Sequence, residues 1–203
     1  MKRRMEILNE QTVYEKRFFR LVEAHLRHEL YDGSMSEELT RISFKRGASA
    51  TVILHEPDTD TVVLVEQFRF PTHQADKPGS GWLLELPAGI VEANESDAVD
   101  ATVKRELLEE TGYVADELTH VSTFFISPGA SSERLFLFYG SIHQVAGVHD
   151  GGGVASEGED IRTLVIPLEE ALSKITSGEI ADAKTIIGLQ WLKLKLLAQP
   201  AGK

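Results

Sequence analysis

Residues 96–111 constrain the chain more than any other stretch. On a helix turning by about 100° per residue, Val99, Val103 and Leu107 line up as one apolar stripe, and Glu106 and Glu110 fall within that stripe rather than opposite it. The two glutamates are four residues apart, so their side chains converge. Carboxylates turned towards a core are costly unless something compensates them: protonation, an arginine partner or a cation. Arg105 and Glu109 are also four apart, which offers the arginine; carboxylate and carbonyl oxygens suit a hard divalent cation such as Mg²⁺. A solvated acidic surface helix is the plain alternative. The surrounding sequence argues against it: a short strand (residues 82–86), a Pro87-Ala88-Gly89 bend, an acidic loop, and then this helix, stopped by Gly112. Such a unit brings backbone carbonyls close to the carboxylates.

The rest of the chain reads as an α+β domain. β-rich runs occur at 50–54, 61–68, 120–127, 134–142 and 161–166, with Pro57-Asp58-Thr59-Asp60 as a turn between the first two. Pro167 suits the first position of a helix carrying Glu169 and Glu170 in its first turn, and Asp182 suits the cap of a last helix reaching about Leu197. A glycine-rich acidic loop spans 147–160. Residues 1–46 form a separate β-rich unit: within 12–46, the turn signal Asp32-Gly33 separates the run 20–31 from Leu39–Phe44. Two strands alone are marginal, so this unit needs a surface to pack on, either the main domain (47–203) or a second subunit. Trp82 and Trp191 are expected in packing, and the seven histidines show no metal-binding spacing.

A net charge of −11 disfavours sequence-independent binding to a phosphate backbone, so no nucleic-acid partner is expected. The absence of cysteine excludes disulfides, cysteine-ligated zinc, iron–sulfur clusters and thiol catalysis. The basic start MKRRMEILNEQ is followed by no apolar stretch of signal-peptide or membrane-span length. A cytoplasmic protein with no membrane partner is therefore expected.

The segment Gly89…Glu95…Arg105-Glu106-Leu107…Glu109-Glu110…Gly112-Tyr113 resembles the signature of the Nudix hydrolases, G-x5-E-x7-R-E-U-x-E-E-x-G-U, where U is bulky and apolar. Nine residues separate Glu95 from Arg105 where the signature has seven, so either Glu95 or Asp97 fills the first acidic place. Val65–Arg69, Ser127-Pro128-Gly129, Ser132-Glu133-Arg134, Glu157–Arg162 and Ile187–Leu192 are similar to the ADP-ribose pyrophosphatase branch. The run Gly151-Gly152-Gly153 is more like the GDP-mannose and sugar-nucleotide branch.

The resemblance implies a Nudix fold, a mixed β-sheet sandwiched by helices (α/β/α), and Mg²⁺-dependent hydrolysis of ADP-ribose to AMP and ribose 5-phosphate. GDP-mannose or a broader range of nucleoside diphosphate sugars is the alternative substrate, and a non-catalytic nucleotide-sugar sensor the second alternative. It implies two or three Mg²⁺ ions, with Mn²⁺ as a substitute, held by Glu106, Glu109, Glu110 and the Ala88 carbonyl. Arg105 steadies a carboxylate. Glu157 matches the general base, with Glu159 as a ligand or substitute base. Arg69 matches a pyrophosphate or nucleotide contact, Phe18 a base-stacking position, and Arg41 and Glu133 positions near the ribose, beside a branch-marking Pro128. An acidic residue that neighbours Arg41 in the branch is Ile42 here. A homodimer joined through the N-terminal unit is also implied.

Overall fold

The computed structural model describes residues 3–16, 19–77, 79–91, 96–115, 117–142, 152–153, 158 and 160–198. The chain divides into two compact units, Met1–Gly47 with Phe125–Arg134, and Ala48–Phe124 with Leu135–Lys203.

The larger unit is built on a seven-stranded sheet. Its path runs β10 (Arg162–Pro167), β5 (Thr61–Phe68), β4 (Ala48–Glu56), β9 (Arg134–Ser141), β8 (Leu118–Phe125), with β6 (Trp82–Glu85) paired to β5 and β7 (Ala88–Val91) paired to β4. Every residue of β4 is buried. A strand covered on both faces sends alternate side chains into two different cores. Val52, Leu54 and Val63 pack with Val99, Val103 and Leu107 of α1 (Ser96–Thr111). Ile53, Val62 and Leu64 pack with Leu168 and Ala171 of α2 (Leu168–Ser177) and Leu189 and Leu192 of α3 (Ala183–Ala198). Helices thus cover both faces of a mixed sheet. The apolar stripe read from the sequence is the buried side of α1, and the helix closes where Gly112 N–H returns to the Leu108 carbonyl.

Three local features differ from the sequence reading. Residues 88–91 are a strand rather than a bend, because β4 offers them a free edge and pairs Thr51 with Ala88 and Ala50 with Gly89. Pro167 ends β10, opposite Thr61, and occupies the position just before α2 instead of opening it; at the end of an edge strand a residue without an N–H is tolerated. Trp82 is half exposed, not core: it begins a four-residue strand and meets Phe68, also half exposed, at 5.6 Å between ring centroids.

The smaller unit is a three-stranded antiparallel sheet in the order β1 (Met5–Lys16), β2 (Phe19–His28), β3 (Leu39–Lys45). The β2–β3 hairpin turns at Asp32-Gly33, where Asp32 accepts hydrogen bonds from the N–H and hydroxyl of Ser34. β1 is a strand that the sequence reading did not assign. All of its residues are exposed, including Met5, Ile7, Leu8, Val13 and Tyr14. Segment 125–134 joins this unit through Phe44, whose N–H donates to the Ala130 carbonyl and whose carbonyl accepts from Ser132 N–H.

Candidate active site

The site begins with a pinned backbone. The Pro87 carbonyl accepts from the Thr51 hydroxyl at 2.8 Å and from Val52 N–H at 3.2 Å. Leu86 N–H donates to the Thr185 hydroxyl at 2.8 Å. The following residue, Ala88, then aims its N–H at Glu110 Oε2, 3.1 Å away. Glu110 is only 2% exposed, as its place on the apolar stripe requires. One residue further, a Cβ on Gly89 would lie 2.0 Å from Cγ of Glu106. Only glycine lets the carboxylate-bearing face of α1 rest directly on β7.

Arg105 offsets part of the negative charge of this helix face. Its Nη2 donates to Glu106 Oε1 and its Nη1 to Glu109 Oε2, each at 2.6 Å. Partial burial opposes the guanidinium charge, but the Glu106 and Glu109 carboxylates outweigh it and push the Arg105 pKa up. Glu106, Glu109 and Glu110 lie in the last two turns of α1, Glu106 against Gly89 and Glu110 on the Ala88 N–H, and carboxylate oxygens are the donors that hard cations take. Among the described residues, no three acidic or imidazole side chains already gather as a metal cage. Arg105 holds two of the carboxylates, and a divalent ion would compete with it for them.

Arg69 follows directly on β5 and makes a bidentate pair with Glu85: Nε to Oε1 and Nη2 to Oε2, both 3.1 Å. Glu85 also accepts from Lys184 at 2.6 Å, and Lys184 pairs with Asp182 at 3.0 Å. Burial pushes the Glu85 pKa up, but the Lys184 charge and the Arg69 hydrogen bond win and hold it below the usual carboxylate value. The Arg69 pKa is raised: burial opposes it, and Glu85, then Glu110, then Asp182, overcome burial. The sequence reading missed Glu85 and Lys184. A carboxylate inside the run Trp82-Leu83-Leu84-Glu85-Leu86 was a usable signal, since it demands a partner.

Gly152 and Gly153 meet the C-terminal end of α1. Gly153 N–H donates to the Glu109 carbonyl and Gly152 N–H to the Glu110 carbonyl, both at 3.1 Å, and the Thr163 hydroxyl adds a bond to the latter at 3.2 Å. These carbonyls lack partners within the helix. Glu157, Glu159, Glu95 and Phe18 lie outside the described residues, and Asp97 is on the α1 backbone.

Three further sequence candidates belong to the smaller unit. Arg41 is exposed and donates to the Thr40 carbonyl at 2.8 Å. Glu133 pairs with Arg46 at 3.4 Å. Pro128 sits at the second position of a turn in which Ala130 N–H returns to the Ser127 carbonyl at 3.0 Å, a position its ring favours.

A strand, a glycine contact and a helix ending in paired glutamates, set against a mixed sheet with helices on both faces, define a Nudix protein. The chain belongs to this family: the NUDIX domain model matches residues 45–189. It is 38% identical over 192 residues to an ADP-ribose pyrophosphatase of Escherichia coli, covering 94% of this chain and 88% of the relative. An ADP-ribose pyrophosphatase of Haemophilus influenzae is 40% identical over 193 residues, covering 94% and 86%. A GDP-mannose pyrophosphatase of Yersinia pestis is 36% identical over 163 residues, covering 80% and 79%. A crystal structure of an ADP compounds hydrolase matches with a TM-score of 0.71 over 96% of this chain and 95% of that one; at 19% identity this shows the shared fold. Among the described residues, no helix is long and apolar enough to cross a membrane.

Proposed function

We infer that this protein hydrolyses the pyrophosphate bond of ADP-ribose, releasing AMP and ribose 5-phosphate in a cytoplasmic setting. The observation that carries the reading is the seating of the Glu106–Glu110 face of α1 on the Ala88-Gly89 backbone. Glu106, Glu109, Glu110 and the Ala88 carbonyl would hold Mg²⁺, in two or three ions, with Mn²⁺ as a substitute. When bound, the metal supplies charge neutralisation on the pyrophosphate and a lowered pKa for water.

The chain's own residues do the rest. Ala88 N–H fixes the Glu110 carboxylate, and Arg105 restrains Glu106 and Glu109 until a cation competes for them. Arg69, already oriented by Glu85, offers its guanidinium to a phosphate oxygen. Glu157, with Glu159 as its substitute, takes the proton from the attacking water. The water oxygen bonds to one phosphorus, the bridging P–O bond breaks, and the departing phosphate keeps the bridging oxygen. Arg41, Glu133 and Phe18 contact the nucleoside and ribose, beside Pro128. The exposed apolar side chains of β1 support a homodimer joined through the N-terminal unit.

A hydrolysis panel with Mg²⁺ tests the reading: ADP-ribose, GDP-mannose, UDP-glucose, ADP-glucose, NADH and a nucleoside triphosphate, with products identified by mass. Preference for ADP-ribose with AMP and ribose 5-phosphate released supports it. Broad cleavage of sugar nucleotides moves the assignment towards the GDP-mannose relatives. Tight binding without cleavage makes the protein a sensor.

A further inference from the structure

Lys184 and Glu85 are 99 residues apart in sequence, yet the Lys184 ammonium reaches Glu85 Oε2 at 2.6 Å. Their side chains keep only 11% and 2% exposure, whereas the Arg69 side chain on the other side of Glu85 keeps 37%. One buried carboxylate is thus shared by an interior cation and one that faces outwards. Pairing through Nε and Nη2 uses one edge of the planar guanidinium. The opposite edge, carrying Nη1, must point away from Glu85. Among the described residues Arg69 makes no other side-chain hydrogen bond. The direction of its outer edge is therefore set by Glu85, and that of Glu85 by Lys184.

The first turn of α3 also holds the strand that leads to Ala88. Asp182 accepts from the Thr185 N–H at 3.0 Å and from its hydroxyl at 2.6 Å, and that hydroxyl in turn accepts from Leu86 N–H. A long arginine side chain left free would have to be ordered when the anion arrives; here folding has ordered it beforehand.

We propose that Lys184 is a positioning residue for substrate binding: through Glu85 it holds the Arg69 guanidinium with its outer edge presented to a phosphate of the nucleoside diphosphate sugar. This rests on the reading of Arg69 as a substrate contact.

The test is a double-mutant cycle of Lys184→Met and Arg69→Met, read by KM and kcat for ADP-ribose with Mg²⁺ and by calorimetric Kd for ADP-ribose in EDTA. Lys184→Met should raise KM and Kd about ten-fold, the scale of one charge-assisted hydrogen bond, with kcat within about two-fold. In the Arg69→Met background it should add less than about two-fold, and Lys184→Arg should recover most of the loss. Equal effects in both backgrounds, or a fall in kcat at constant KM, would overturn the proposal. If Arg69→Met leaves both KM and Kd unchanged, the phosphate contact and the proposal fall together. If the wild type binds ADP-ribose but cleaves no substrate of the panel, the hydrolase reading fails while the Kd cycle still decides the role of Lys184. Lys184→Gln, which keeps an N–H donor, takes the place of Lys184→Met should that variant not fold.

Discussion

Gly89 and Glu106 approach so closely that a Cβ on the glycine would lie 2.0 Å from Cγ and 2.3 Å from Oε1 of the glutamate. The contact sets the distance between β7 and the acidic face of α1. Gly89→Ala cannot be absorbed by a small rotamer change, because the Cδ of Glu106 would also stand only 2.1 Å away. The carboxylate must swing out or the helix must shift. We expect turnover to fall by on the order of a hundred-fold, as for a catalytic group displaced by about 1 Å. Melting should shift by only a few degrees, since the buried stripe of α1 is untouched. Parallel kinetics and calorimetric melting of the variant would check this; near-normal turnover would show that the Glu106 position is not critical.

Glu110 is the buried member of the acidic pair, and its Oε2 accepts from Ala88 N–H. Glu110→Gln keeps an oxygen acceptor for that N–H and preserves the shape, but removes the negative charge. Turnover should drop by on the order of 10²–10³, with the fold intact by circular dichroism. Chelation with EDTA should abolish wild-type turnover and excess Mg²⁺ restore it. Turnover close to the wild type in the variant would remove Glu110 from the metal site.

The local half of this site was legible in the sequence, and the distant half was not. The span 96–111 coincides with α1, Val99, Val103 and Leu107 are buried, and the Arg105–Glu109 spacing closes as an ion pair. All of these depend on helical periodicity, which reads directly from residue spacing. The sequence singles out Arg69 but not the Glu85–Lys184 pair behind it, because a contact across 99 residues leaves no local pattern. β1 was missed for a related reason. Its apolar residues Met5, Ile7, Leu8, Val13 and Tyr14 do not alternate cleanly, and its register with β2 slips twice, between Ile7 and Asn9 and between Thr12 and Tyr14. Trp82 was misplaced because ring size argues for burial while its position at the start of a short strand decides against it.

Glu85 makes the stability depend on acid in a defined direction. Its pKa is lowered in the folded chain, where Lys184 and Arg69 overcome the burial that would raise it. A lowered carboxylate stabilises the fold fully above its ordinary value, about 4.5, and that contribution is lost as pH falls through the lowered native value. Glu85→Gln should therefore be less stable than the wild type by about 3–5 kcal/mol near pH 7, with the gap shrinking below pH about 4. Denaturant unfolding of both proteins from pH 7 down to pH 3 measures this. A gap that stays constant over that range would show that the charge of Glu85 is not what the cluster uses.

Gly152 has φ of +116°, outside the range open to other residues, and its N–H caps the Glu110 carbonyl at the end of α1. Gly152→Ala strains that backbone by about 1–3 kcal/mol and pulls the N–H away from the helix end. Because the proposed bases Glu157 and Glu159 follow five and seven residues later in the sequence, the expected loss falls on turnover: kcat lower by about ten-fold, KM for ADP-ribose within about two-fold, and a slightly lower melting temperature. Gly129→Ala serves as the control, since a Cβ there meets nothing within 4 Å and its φ is not positive; it should leave melting unchanged. A Gly152→Ala enzyme with an unchanged kcat would show that the Gly152 contact with α1 is structural and does not act on the proposed base.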